Sequence, residues 1–125
     1  MKKIPIFKRV KDPCGEEIIL TRDCYFGHIF SAHPNIGQWI ETVIETIRNP
    51  EGIFKDKEDV LHYIGKIQPE IRGFFDEDDE FLEIVVKKMY HNGAKKFLGM
   101  ATFFSITAVE KQTRTLQWRK TYPKI

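Results

Sequence analysis

Two long apolar runs meet at Asn92-Gly93. Asn-Gly suits a two-residue type I′ turn, which needs positive φ at both central positions. The spacing therefore predicts an antiparallel hairpin of Phe81–Tyr90 with Lys96–Thr107. A lone hairpin is not stable in water, so the rest of the chain must supply a cover for its apolar face. With this turn, Leu82, Ile84, Val86, Phe97, Gly99, Ala101 and Phe103 share the more apolar face. Glu83, Val85, Lys87, Lys96, Leu98, Met100 and Thr102 share a mixed one, with Glu83 directly opposite Thr102. A slip of one residue would exchange the faces.

The cover is expected from helices. Ile36, Trp39, Ile40, Val43, Ile44 and Ile47 recur at steps of three and four, a helical stripe closed by Asn49-Pro50-Glu51-Gly52. Upstream, Thr21 is a suitable N-cap and Asp23 suits the first turn. Tyr25, Phe26, Ile29 and Phe30 form the apolar face of that first helix, which Pro34 ends near Ala32. Ile4 to Val10 and Glu17 to Leu20 read as a hairpin around Asp12-Pro13-Cys14-Gly15. Ile53 to Lys55 and Val60 to Ile67 read as further strands. Gln68 to Glu80 reads as a polar loop, and Gln112 to Trp118 as a last strand or a tail. The expected fold is α+β: two N-terminal helices packed on one face of an antiparallel sheet of four or more strands, in a single domain spanning 1–125.

The chain's 125 residues, 42% hydrophobic and 13% aromatic, suit one globular core. No apolar run approaches the ~20 residues of a membrane span, and no signal-peptide core follows Met1-Lys2-Lys3. The expectation is a cytoplasmic protein with no membrane partner. Cys14 and Cys24 are too few for a disulfide framework and lack zinc-knuckle spacing, so no metal or cofactor is expected. The net charge of +2 is uneven: the terminal segments 1–20 and 108–125 are basic, and Asp76-Glu77-Asp78-Asp79-Glu80 is acidic. Basic ends permit a polyanion partner, and solvated surface explains them equally well.

Between the two expected helices lies His28-Ile29-Phe30-Ser31-Ala32-His33-Pro34. This segment, the amphipathic helix closed by Asn49-Pro50, and strands ending in Ala101-Thr102 resemble the phage-associated nucleases of the barnase, EndoU, colicin E5/D and RelE group. The likeness covers residues 21–107. It implies a small metal-independent endoribonuclease, toxin- or phage-associated, with RNA as substrate and an inhibitory immunity or antitoxin protein as a potential partner. Ala32 and Asn35 stand where the family pattern has a basic and an acidic residue. That difference motivates the alternative, an inactive scaffold of the same fold that binds nucleic acid or a protein.

Metal-free RNA cleavage needs a base for the 2′-hydroxyl, an acid for the leaving oxygen, and donors for the phosphoryl charge. Histidine serves as base or acid near neutrality. His28 falls away from the apolar helical face, so it reads either as catalytic or as an ordinary surface histidine. His33 would lie ~140° from it on an ideal helix, so the two converge only if Pro34 re-aims His33. Otherwise His33 is a buried corner residue. Thr102, the late-strand threonine of the resemblance, is the third catalytic candidate. Lys87, Lys96, Arg114 and Trp118 are candidates for RNA binding, the last by stacking. Each has a plain reading too: strand preference for Thr102, surface charge for the cations, tail packing for Trp118. His62 alternates with Val60 and Ile64 and reads as a core histidine.

Overall fold

Alternating apolar residues, broken by turns at Asp12–Glu16 and Asp56–Val60, place about half of the described residues in β-structure. The computed structural model describes residues 6–22, 40–91, 95–109 and 113–120. Within them lie β1 (Ile6–Lys11), β2 (Glu17–Thr21), α1 (Ile40–Arg48), β3 (Gly52–Lys55) and β4 (Leu61–Lys66). A 3-10 turn at Pro69–Phe74 leads to β5 (Phe81–His91), β6 (Lys95–Ile106) and β7 (Thr115–Arg119).

The seven strands form one sheet in the order β1-β2-β6-β5-β4-β3-β7. All neighbours are antiparallel except β2 and β6, which run parallel through Ile18↔Leu98 and Ile19↔Gly99. This corrects the expected fold class. The protein is sheet-dominated and mixed, with a single short helix among the described residues, rather than two helices on an antiparallel sheet. Sequence alternation identifies strands but not their partners. The N-terminal hairpin joins the sheet through a strand far along the chain, a pairing no local pattern encodes. Thr21, the expected cap of the first helix, is the last residue of β2; that helix from Asp23 onward and the start of the second lie outside the described residues.

The β5–β6 register also differs from the type I′ expectation. His91 pairs with Lys95, Tyr90 with Lys96 and Val86 with Met100, and a bulge between Val85 and Val86 then sets Val85 opposite Thr102 and Glu83 opposite Phe104. The longer connection moves Leu98 and Met100 to the face of Val86 and Lys88. The bulge restores the expected side for Thr102, which shares its face with Glu83, Val85 and Lys87.

One face, here called inner, carries Leu61 and Tyr63 on β4, with Leu82, Ile84 and Val86 on β5. Helix α1 packs there through Ile40, Val43, Ile44 and Ile47. Its approach is close at Gly65, where a Cβ would lie 2.5 Å from Thr46 Cγ2. Thr46 itself is 6% exposed and donates its hydroxyl to Thr42 O at 2.9 Å. Only a residue without a side chain leaves room for that contact.

Candidate functional site: a carboxylate–imidazole–guanidinium cluster

The opposite, outer face of the sheet carries His62 on β4 and Glu83 on β5, both buried. They are diagonal neighbours: His62 pairs with Val85, and Glu83 with Ile64. Burying ionisable groups is costly unless they are paired, and here they are. His62 Nδ1 lies 3.0 Å from Glu83 Oε2, and His62 Nε2 lies 2.8 Å from Asp56 Oδ2. Arg114, just before β7, donates from both terminal nitrogens to the two Glu83 oxygens at 3.1 and 3.2 Å. The result is a chain of four ionisable side chains, Asp56–His62–Glu83–Arg114.

The turn that supplies Asp56 is built to present it. Asp56 Oδ1 accepts the amides of Glu58 and Val60 at 2.8 and 3.1 Å, leaving Oδ2 for His62. Asp59 closes the turn at φ 62, a left-handed conformation that aspartate tolerates. The β1–β2 turn repeats the device. Asp12 Oδ1 accepts the amides of Cys14 and Glu16, both at 2.9 Å, and Asp12 Oδ2 accepts the hydroxyl of Tyr63. Gly15 supplies the positive φ there. Thus two adjacent β4 residues, His62 and Tyr63, reach opposite faces and each binds the spare oxygen of a turn aspartate.

The electrostatics follow from these bonds. Hydrogen bonding to Glu83 raises the His62 pKa despite the opposing effect of burial, with Asp56 adding to the rise. The bond from His62 holds Asp56 below the ordinary carboxylate range. Burial alone would push Glu83 up, but the bonds from His62 and Arg114 outweigh it and its pKa is lowered. The cluster therefore favours an imidazolium between two carboxylates, with a guanidinium capping the end. Tyr63, buried and beside the Asp12 carboxylate, has its pKa raised.

Such a set can donate and accept protons and hold an anion, provided an incoming group displaces one of the internal bonds. Thr102 and Lys87 stand on the same outer face, on β6 and β5. Thr102 is half-buried and Lys87 exposed. Arg114 is committed to Glu83, and its side chain is 10% exposed. Trp118 on β7 pairs with Ile53 of β3 and packs against the inner-face core. Lys96 pairs with Tyr90, and its side chain is outside the described ones. His28 and His33 lie outside the described residues. Among the described residues no group of acids, histidines and cysteines is arranged to hold a metal ion, and no helix is long and apolar enough to cross a membrane.

The sequence reading placed His62 in the core and Glu83 on the mixed face, but did not join them or include Asp56. The available signal was Asp56 at the head of Lys57-Glu58-Asp59, an Asp-led turn before a strand. Comparison with known proteins finds no matching family model, no matching curated protein and no matching solved structure.

Proposed function

We propose that this chain is a metal-independent endoribonuclease that cleaves RNA by 2′-hydroxyl attack, with His28 and His33 as proton-transfer groups and Thr102 donating to the phosphate. The observation supporting this reading is the outer face itself. Thr102, Lys87, Glu83, His62 and Arg114 supply hydroxyl, ammonium, carboxylate, imidazole and guanidinium on one side of the sheet. Those are the groups that acid–base chemistry on a phosphodiester uses. The motif likeness around His28 and His33-Pro34 points the same way.

In this reading the buried cluster is a positioning unit. It fixes the strand carrying Glu83 and Val85, and so the height of Thr102 across the ladder. Toxin or phage association, and an inhibitory protein partner, belong to the same proposal.

A second reading has its own support. Every cluster member is bonded to another member, and both nitrogens of His62 are taken. A scaffold that binds nucleic acid or protein without cleaving it would carry the same cluster for stability alone. Incubation with total RNA in EDTA separates the two. The nuclease reading expects new ends bearing 2′,3′-cyclic phosphate, lost in His28→Ala with an unchanged melting curve. Intact RNA with the wild-type protein would leave the scaffold.

A further inference from the structure

The sheet has a second feature, at the end that α1 does not cover. Helix α1 meets β4 at Gly65. Four residues away, about 13 Å along the strand, Leu61 lines a cavity of about 950 Å³ to which no residue of α1 contributes. Its apolar lining includes Ile53, Leu61 and Leu98 from β3, β4 and β6, with Ile19 of β2 and Phe97 of β6, which have the opposite parity in the sheet. One wall is the β1–β2 turn with Asp12 and Glu16, and across the strands are Lys55 of β3 and Lys88 of β5. Asp59 of the β3–β4 turn also lines it.

The charges divide into those bonded to other described residues and those that are not. Asp12 is bonded to Tyr63 and two amides, and Arg9 pairs with Glu17 at 3.5 Å. Lys55, Lys88, Glu16 and Asp59 form no ion pair with any described residue. The cavity thus offers an apolar lining and charges of both signs that have no ion-pair partner among the described residues. A fatty acid or a simple anion would answer the lysines and leave the acids facing its apolar body. A zwitterion answers both.

We propose that this cavity binds a short apolar peptide with free ends, its α-ammonium toward Glu16 and its α-carboxylate toward Lys55 and Lys88. The volume is at the upper end of small-ligand pockets, about 300–1,000 Å³, which suits a few residues better than a single amino acid. None of its lining residues belongs to the Asp56–His62–Glu83–Arg114 cluster, and the site does not depend on the nuclease proposal.

The test is isothermal titration of the full chain with trileucine, N-acetyl-trileucine amide and decanoate. Saturable one-to-one binding of trileucine is expected, weakened about tenfold or more in Lys88→Met and in Glu16→Gln, since each loses a charge-assisted bond. The blocked peptide should bind at least about tenfold more weakly than the free one. Both substitutions are at the protein surface, and a melting curve checks that each variant is folded. Absence of trileucine binding, equal binding of the blocked peptide, preference for decanoate, or unchanged affinity in both variants would each overturn the proposal.

Discussion

Tyr63 and Asp12, 51 positions apart, share a 2.5 Å hydrogen bond that ties the middle of β4 to the tip of the N-terminal hairpin. Tyr63 is fully buried and Asp12 is 7% exposed, so neither has water as a ready substitute partner. The bond joins the β1–β2 turn, at one edge of the strand order, to β4, the fifth of the seven strands.

Tyr63→Phe keeps the ring and removes the donor. Asp12 Oδ2 then loses the hydroxyl it accepts, a cost of about 1–3 kcal/mol. Chemical denaturation should show that loss with the m-value unchanged. A wild-type midpoint would mean that the bond contributes nothing net.

Glu83 and Arg114 should be strongly coupled. Arg114→Met removes a bidentate partner from a nearly inaccessible carboxylate, and Glu83→Gln leaves the guanidinium without its counter-charge. Breaking a buried pair from one side costs about 3–5 kcal/mol. The double variant should cost clearly less than the two singles added, because neither charge is then stranded. Additive losses would show that the pair acts as two independent contacts.

The cluster sets a pH window. The His62 pKa is raised on folding, so its contribution is complete below the unfolded value of ~6.5 and is lost as pH rises through the folded value. Asp56 and Glu83 are lowered, so theirs is complete above ~4 and is lost as pH falls through their folded values. The melting-temperature gap between wild type and His62→Gln should be wide near pH ~5.5 and should narrow as pH rises above ~6.5. A gap that widens with pH would reverse the assigned charge state.

Gly65 and Thr46 fix the seat of the helix. Gly65→Ala drives a methyl group into Thr46 Cγ2 and should cost about 1–3 kcal/mol. Adding Thr46→Ser removes that methyl while keeping a hydroxyl for Thr42 O, and should restore part of the loss. Thermal melts of the two single variants and the double variant check it. No recovery would place the strain elsewhere.

Much of the secondary structure was legible because it is local. The turn at Asp12, the helical stripe from Ile40 to Ile47, and the strands around Tyr63 and Ile84 follow from spacing and turn chemistry, whereas Trp118 suits a strand or a tail until β7 pairs with β3. Register was not. The side chains of β5 and β6 suit either alignment, and a connection one residue longer, together with the Val85 bulge, decides between them. The candidate site was legible only in parts, since His62 reads as core and Arg114 as a tail cation until both meet Glu83.

By itself, the sequence determined the elements: a period of two gives strands, a period between three and four gives a helix, and Asp or Gly gives the turns. Only the tertiary structure decided which strands touch, and hence the mixed sheet and the cluster. Pairing energy depends on groups distant in the chain meeting in one place. Nothing in the neighbours of Ile18 names Leu98, and nothing beside His62 names Glu83.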